Sequence, residues 1–299
     1  MDVNQLRCVV ALAEEANFSR AAERLGVAQP SLSQLIKKLE TDAGCRLFDR
    51  LPRRVVPTHA GERLVAQARL ILAHVADAQR LLSESTGNVA GPVSIGAIPT
   101  IAPFLLADVL RELAARHPAV RPTVVEDVTD RLVAMLERGD LDVAIVSTTH
   151  HTPRTVHVET VSAEPLLLMV PPNHPLANRK RPRAVTWDEL SQERVLVLPD
   201  MHCLSAQVSR VCRLHGLKPP MVMRGAQLST VAAIVCAGLG VSLVPEMMRH
   251  NTASPCPLLP IAPDAPTRDL GVAWSLARYR TAASRALVDI VRHLTRPRR

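Results

Sequence analysis

Residues 17–40 read NFSRAAERLGVAQPSLSQLIKKLE, and this stretch predicts two short helices joined by a tight turn. One face of the first helix is apolar, formed by Phe18, Ala21, Ala22 and Leu25. Gly26 follows where a left-handed residue would end that helix. Gln29 or Pro30 then opens the second helix, whose apolar stripe is Leu32, Leu35, Ile36 and Leu39.

The other face of the second helix is polar and cationic, which suits a recognition helix in a major groove. Ser and Gln can hydrogen-bond base edges, and Lys can pair with phosphates. The residues that we expect at or near DNA on this helix are Gln29, Pro30, Ser31, Ser33, Gln34, Lys37 and Lys38. A plain surface helical hairpin is the alternative, since such patterns occur by chance. The flanking sequence decides between them.

The flanks supply a third helix and a basic hairpin. Residues 1–15 are apolar at helical spacing, and residues 45–58 (CRLFDRLPRRVVPT) predict a hairpin anchored by Leu47 and Phe48 that resembles a wing. Between positions 29 and 54, six Lys/Arg stand against three Asp/Glu, an excess of +3. Such an excess favours phosphate contact and salt-dependent binding. The wing residues expected on the DNA backbone are Arg50, Arg53 and Arg54.

The ordered pattern F-S-x-A-A-x-x-L-x-V-x-Q-P-S-L-S-x-x-I-x-x-L-E, followed by G-x-x-L-F-x-R and T-x-A-G, resembles the N-terminal domain of the LysR-type transcriptional regulators. The resemblance implies an activator-type regulator and not an enzyme. It also implies a winged helix-turn-helix, a linker helix that makes a homodimer, pairing of dimers into a homotetramer, and an effector domain like a periplasmic binding protein. Double-stranded promoter DNA would then be the partner.

Composition agrees with a DNA-binding protein. The chain of 299 residues has 47% hydrophobic and 21% charged residues, a net charge of +8 and a pI near 9.7. A basic balance points to a polyanionic partner. We expect a cytoplasmic protein without membrane contact, because no apolar signal-peptide core or spanning segment is visible. The same observation argues against a secreted solute-binding protein.

The cysteine pattern predicts neither a metal nor another cofactor. No CxxC or Cys/His pattern has zinc spacing. In a reducing compartment cysteines are free thiols by default, mostly buried as small hydrophobes. The six cysteines are Cys8, Cys45, Cys203, Cys212, Cys236 and Cys256.

A long linker helix follows the wing. Thr58 is a suitable N-cap, and residues 60–85 lack helix breakers except Gly61 near the start. The apolar positions step by four and three in a heptad register: Leu64, Ala68, Ile71, Val75, Ala78 and Leu82. We interpret this as a dimerisation helix; the alternative is a helix packed on its own domain. Residues 87–92 (GNVAGP) then predict a hinge.

From residue 93, short β-branched runs alternate with helical ones, which predicts an α/β fold with a mostly parallel sheet. The predicted fold is therefore a winged helix-turn-helix head, a long linker helix and two α/β effector subdomains. The boundaries that we expect are 1–58 for the head, 59–88 for the linker helix, 91–163 with 267–299 for effector subdomain I, and 164–266 for effector subdomain II. The cleft between the two subdomains would be the ligand site.

Several predicted helix starts carry hydroxyls or a thiol. They are Thr100, Thr129 before its helix, Cys203, and Ser229. At the carboxyl ends of parallel strands such groups face one crevice and favour anions. Each alone is an ordinary N-cap.

Residues 200–212 (DMHCLSAQVSRVC) resemble the peroxide-sensing OxyR group of the same family, whose pattern is D-G-H-C-L-R-D-Q with a second cysteine at the same separation. The resemblance implies that Cys203 is the peroxidatic thiol, Cys212 the resolving thiol, and His202 the group that positions hydrogen peroxide. It also implies peroxide-binding or thiolate-supporting roles for Thr100, Thr129 and Arg268. The departures from the pattern are Met201, Ser205 and Ala206.

Elementary chemistry adds two expectations. A thiol at a helix N-terminus beside His202 should have a lowered pKa, and the thiolate is the nucleophile. If one helix runs from Cys203 to Cys212, nine residues separate them by roughly 13 Å, beyond the ~7 Å limit for a disulfide. Oxidation would then have to unwind that helix, which is what a switch needs.

Two other hypotheses stay open. The first is a regulator of the same family that binds a small organic anion between Thr100, Thr129 and the Ser229 turn, with structural cysteines. The second is an enzyme, a thiol peroxidase on this fold, against which the DNA-binding head argues.

Overall fold

The structure, a computed structural model, describes residues 1–52, 54–84, 89–148, 152–179, 183–198, 203–217, 221–222, 227–250 and 255–296. The chain divides into two compact units. Unit 1 comprises Met1–Asn88 with the short segments Glu137–Asp140 and Ala277–Thr281, and unit 2 comprises Val89–Leu136, Leu141–Leu276 and Ala282–Arg299.

Unit 1 begins with the predicted three helices, α1 (Val3–Glu15), α2 (Phe18–Leu25) and α3 (Gln29–Ala43). Side chains cap the first two, because Asn17 Oδ1 accepts from the amides of the first turn of α2 and Asp2 forms a capping box on α1. Gly26 ends α2 with φ +66°, as predicted. Leu32, Ile36 and Leu39 of α3 are buried, whereas Leu35 is only half-buried.

The wing is also present. Strands β1 (Phe48–Leu51) and β2 (Arg54–Pro57) pair antiparallel. Leu47 and Phe48 are buried in the head core, as predicted. The carboxylate of Glu40 accepts from the backbone amides of Leu47 and Phe48 at 2.8 and 3.1 Å, so the end of α3 fixes the start of the wing.

The linker helix α4 spans His59–Glu84. Thr58 caps it, since its hydroxyl accepts from the amide of Gly61 at 3.1 Å. The predicted heptad seam divides in two: Ala68 is fully buried within the chain and Leu64 packs on the head core, whereas Ile71 is 40% and Leu82 76% exposed. The first part of the stripe therefore packs on its own domain, and only the part from Ile71 onward remains open to a partner.

Replacing Ile71 by Asp tests the dimer prediction. A charge buried in a helical seam costs several kcal/mol unless it is paired, so we expect light scattering to show monomers. Ala66→Asp, nearer the start of α4, is a control for a new charge on the helix. Native mass for Ile71→Asp would contradict dimerisation through this face.

Unit 2 is built on a mixed sheet. The strands are β3 (Gly91–Ala97), β4 (Val120–Glu126), β5 (Val143–Ser147), β6 (Val156–Met169), β7 (Leu196–Val197), β8 (Met221–Val222), β9 (Ser242–Pro245), β10 (Leu258–Leu259) and β11 (Thr267–Ser275). Within the described residues, one sheet has the order β10-β6-β11-β5-β3-β4, with β9 also on β6, and β7 pairs β8 separately.

The prediction of a mostly parallel sheet is wrong. Among the strands of the described residues, β3–β4, β3–β5 and β7–β8 pair parallel, whereas β6 pairs antiparallel with β9, β10 and β11, and β11 with β5. The reason is that β6 and β11, the two long strands, run alongside each other in opposite directions. The predicted hinge is also shortened, because Gly91 and Pro92 already belong to β3; residues 87 and 88 lie outside the described residues.

Helices cover the sheet: α5 (Ala102–Arg116), α6 (Thr129–Arg138), α7 (Trp187–Leu190), α8 (Cys203–Leu214), α9 (Leu228–Cys236) and α10 (Ala282–Thr295). Two apolar cores result. One lies among β3, β5, β11, α5, α6 and α10, and the other among β6, β7, β9, α8 and α9. Among the helices of the described residues, none combines the length and the apolar character that a membrane span requires.

The cysteines are not all free thiols. Cys236 and Cys256 form a disulfide, which contradicts the default expectation; Cys8, Cys45, Cys203 and Cys212 are free. The expectation of free thiols was wrong for this pair because the fold brings two cysteines that are distant in sequence together at the end of α9. No group of three or more His, Cys, Asp or Glu in the described ranges could hold a metal ion.

Candidate functional site

The exposed face of α3 carries the predicted recognition residues. Gln29, Pro30, Ser31, Gln34, Lys37 and Lys38 are exposed, and Ser33 is half-buried. Arg50 of the wing donates to Ser33 Oγ at 3.2 Å, and its guanidinium lies 4.6 Å from the ring centroid of Phe18. Arg54 is exposed, and Arg53 lies outside the described residues. Wing and recognition helix thus present one polar, cationic surface.

Replacing Arg53 and Arg54 by Ala tests the wing. Backbone contacts carry no sequence information, so affinity should fall similarly for operator and random DNA, and the slope of log K against log salt should flatten by up to ~2 units. Fluorescence anisotropy at several salt concentrations measures both. Replacement of Arg111, an exposed residue of α5 in unit 2, is the control. Unchanged affinity would rule out the wing contacts.

Cys203 is the first residue of α8 and is 4% exposed. Its sulfur lies 2.9 Å from Thr129 Oγ1, a hydrogen bond in which either group can donate. Thr129 is itself buried and is the first residue of α6, not a residue before the helix as predicted. Two helix N-termini therefore meet at one thiol.

Arg268 organises the buried polar groups of this region and is 1% exposed. Its Nε donates to Glu164 Oε1 at 2.5 Å, and its Nη1 donates to Thr100 Oγ1 at 3.0 Å. Nη2 donates to the Thr100 carbonyl at 3.1 Å and contacts Met247 Sδ at 3.2 Å. The Met247 amide donates to Glu164 Oε2 at 3.0 Å. We call Arg268, Glu164, Thr100 and Met247 the Arg268 cluster.

The positive charge of Arg268 acts on the Cys203 thiol, but burial has the larger effect on the pKa of that thiol. Desolvation raises the pKa of Cys203, whereas the Thr129 hydrogen bond and the Arg268 charge lower it by less. The prediction of a lowered pKa is therefore wrong. A helix N-terminus does not compensate for the loss of water around a thiol that is almost fully buried.

Cys212 lies further along the same helix. It is 1% exposed and packs in the apolar core among Leu204 and Val208, where desolvation raises its pKa. Because α8 is continuous from Cys203 to Leu214, the two cysteines stand about 13 Å apart along its axis. A bond between them requires the helix to unwind, as predicted.

The remaining predicted site residues do not join this group. Ser229 lies in the first turn of α9 and is exposed, and among the contacts of the described residues no hydrogen bond links it to the Arg268 cluster. His202 and Met201 lie outside the described residues. Ser205, which departs from the peroxide-sensor pattern, is buried and donates to the Leu198 carbonyl at 2.7 Å.

Sequence reasoning missed Glu164, Met247 and Gln207. Gln207 stands one helical turn after Cys203 and donates from Nε2 to Ser147 Oγ at 3.5 Å. Gln207 could have been identified from the sequence, because it occupies the glutamine position of the C-L-x-x-Q pattern. No sequence pattern marks Glu164 or Met247, because each contacts Arg268 from a distant position in the chain.

Two family models match the chain. Residues 3–62 match the bacterial regulatory helix-turn-helix protein of the lysR family, and residues 86–296 match the LysR substrate binding domain. The chain belongs to the LysR family. Members of this family are transcriptional regulators, which are not normally enzymes.

Among LysR-family proteins, several that are similar to this chain are peroxide-responsive by name. A hydrogen peroxide-inducible genes activator of Dickeya chrysanthemi is 36% identical over 247 residues, 83% of this chain and 80% of that protein. A full-length OxyR variant of Pseudomonas aeruginosa has TM-score 0.80 and 29% identity, covering 98% of this chain and 95% of that one. A hydrogen-peroxide-bound OxyR variant of Corynebacterium glutamicum has TM-score 0.63 and 31% identity, covering 98% and 93%.

Proposed function

We propose that this LysR-family protein is a peroxide-responsive transcriptional activator that binds promoter DNA through α3 and the wing and senses hydrogen peroxide at Cys203. The observation that carries the proposal is the contact of the Cys203 sulfur with Thr129 Oγ1 within the field of buried Arg268. The names of the similar proteins support the same effector. A regulator of chromosomal promoters works in the cytoplasm, and that location is part of the proposal.

The chemistry needs only the thiol and the peroxide. The Cys203 thiolate attacks one peroxide oxygen, the O–O bond breaks, and the departing hydroxide takes a proton, so that thiol plus hydrogen peroxide gives sulfenic acid plus water. Arg268 supplies a fixed positive charge near the sulfur, and Thr129 can donate to the thiolate. Both groups favour the charged sulfur over the neutral one.

A second step would convert oxidation into a change of shape. The Cys212 thiol attacks the sulfenic sulfur, which forms the Cys203–Cys212 disulfide and releases water. Since the intact α8 keeps these residues too far apart, the disulfide forms only in a rearranged segment. An ordered helix and a cross-linked loop are two discrete states, and we infer that their exchange resets the DNA-binding heads.

The other hypotheses fit the geometry less well. An organic anion between Thr100, Thr129 and Ser229 would need three groups at one place, yet Thr100 and Thr129 are buried and already bonded while Ser229 is exposed. A thiol peroxidase would need a site open to a reductant, and Cys203 is nearly closed. We therefore propose a sensor and not an enzyme, without a cofactor.

Assembly and domain limits belong to the same proposal. Dimers would form through the exposed part of α4 that includes Ile71 and Leu82, and effector-domain contacts would pair them into a tetramer.

The domain limits that we propose are 1–58, 59–88, 91–163 with 267–299, and 164–266. Proteolysis at the junctions, read by mass spectrometry, checks them.

Mass spectrometry after substoichiometric peroxide, with a sulfenic-acid trap, tests the proposed site. We expect Cys203 to be oxidised first. Because only the thiolate reacts and burial raises the pKa of Cys203, the rate should rise about tenfold per pH unit from about pH 6 to about pH 9. A rate that levels off near pH 6 would contradict the raised pKa.

Cys8 is the matched control for this measurement. It is also buried with a raised pKa, caused by desolvation and then by Asp2, but it lacks the Thr129 bond and the Arg268 charge. Oxidation of Cys8 as fast as Cys203 would show that burial alone sets thiol reactivity, and the proposed sensor site would be lost.

A further inference from the structure

A second cysteine pair lies in unit 2, away from Cys203. Cys236 is the last residue of α9 and is half-buried, whereas Cys256 is buried beside β10. Their Cα atoms are 5.6 Å apart, within the range that a disulfide spans without backbone movement. Both pack on the apolar core of β6, β9 and α9. The proposed peroxide chemistry uses neither residue.

The segment that this pair closes reaches the Arg268 cluster. The disulfide links residues 20 positions apart, and the chain between them contains β9 and a short 3-10 helix, Glu246–His250. Within that helix Met247 contacts Arg268 through its sulfur and Glu164 through its amide. Met248 beside it is buried in the core. Opening or closing the pair therefore changes the freedom of a segment that touches the buried arginine.

We propose that Cys236 and Cys256 form a second redox couple, which exchanges with low-molecular-weight disulfides and, when closed, fixes Met247 against Arg268. The couple needs no peroxide and does not depend on the proposed function of Cys203. Its oxidant belongs to a different chemical class, so the protein would register the thiol–disulfide balance of the cell separately from peroxide.

The exchange balances with the external disulfide as its oxidant. The Cys236 thiolate attacks an external disulfide, RSSR, and releases one thiolate, RS⁻; Cys256 then attacks the mixed disulfide at the Cys236 sulfur and releases the second. Two protein thiols plus RSSR give one protein disulfide plus two RSH, and excess RSH reverses the reaction. Cys236 is half-buried and is the more exposed residue of the pair, so we assign the first attack to Cys236; Cys203 and Cys212 are 4% and 1% exposed.

The experiment uses the full-length Cys203→Ser/Cys212→Ser variant, so that its result is independent of peroxide sensing. The protein is equilibrated with graded ratios of reduced and oxidised glutathione, quenched with iodoacetamide and digested. We expect a peptide pair linked through Cys236 and Cys256 that forms and disappears reversibly with the ratio. Exposed Cys45 is the control, because it should carry glutathione without any internal link.

Hydrogen exchange of the segment 246–250 measures the consequence. Closing a ring of this size removes much of the freedom of the open segment, so the amide of Met247 should exchange roughly tenfold more slowly in the closed state. In Cys236→Ser the Met247 amide should exchange fast at every glutathione ratio. The reduced protein without that substitution should show the same exchange rate. This comparison separates an effect of the bond from damage by the substitution.

Three results would overturn the proposal. The link could fail to form at any glutathione ratio, or it could persist with excess reduced glutathione, which would make it a static structural bond. The link could also open and close while the exchange of residues 246–250 stays unchanged. In that case the state of the Cys236–Cys256 pair would not affect the position of Met247.

Discussion

Replacing Arg268 by Gln should lower the free energy of unfolding by about 3–5 kcal/mol, because it leaves Glu164 buried without its positive partner. The Glu164 side chain is only 10% exposed, and Arg268 supplies its shortest contact. Burial lowers the pKa of Arg268, and the charge of Glu164 opposes that effect. Urea unfolding monitored by circular dichroism measures the loss.

Arg292 provides the matched control. Its guanidinium makes two bonds of 2.7 and 2.6 Å to Glu159, but both side chains are about one-third exposed. An exposed ion pair contributes about 0–1 kcal/mol, so Arg292→Gln should cost little. If both variants lower the free energy of unfolding equally, the buried Arg268–Glu164 pair stabilises the fold no more than an exposed ion pair does.

A double variant separates stability from chemistry. Arg268→Met with Glu164→Leu removes both charges, and apolar replacement of a buried pair often restores stability. The thiol would still lose its nearby positive charge, so the pKa of Cys203 should rise further and peroxide oxidation should slow. If oxidation instead keeps the rate of the unmodified protein, the charge of Arg268 has no part in the reaction.

Local signals predicted most elements of the head. Gly26 ends α2 and Thr58 caps α4 because backbone conformation and capping depend on neighbouring residues alone. The resemblance placed Thr100, Thr129 and Arg268 among the site residues, and the structure gathers them around Cys203 and Glu164.

Features that depend on long-range packing were not predictable. No local pattern indicated that Glu164 and Met247 would contact Arg268, or that Cys236 would meet Cys256. The pKa of Cys203 had the wrong predicted direction because depth of burial, which decides it, appears only in three dimensions. The antiparallel pairing of β6 with β11 likewise reverses what the β-α alternation indicated.

Cys203→Ser should abolish the transcriptional response to peroxide, since a serine hydroxyl cannot form a sulfenic acid. Cys212→Ser should differ in kind: Cys203 would still be oxidised, but its sulfenic acid could not be locked as a disulfide. A reporter gene and a sulfenic-acid trap distinguish the two variants. Serine is close to cysteine in size and neither substitution changes charge, so circular dichroism should show that the fold survives.

Hydrogen exchange then tests whether the helix is the switch. In the reduced protein the amides of α8 beyond its first turn donate within a continuous helix, so they should be protected. A Cys203–Cys212 disulfide cannot span that helix, and its formation should expose the segment 203–212 in the native sequence but not in Cys212→Ser. If the disulfide forms while these amides stay protected, α8 does not unwind and another element must transmit the signal. If Cys203→Ser leaves the response intact, the effector is not peroxide at this thiol.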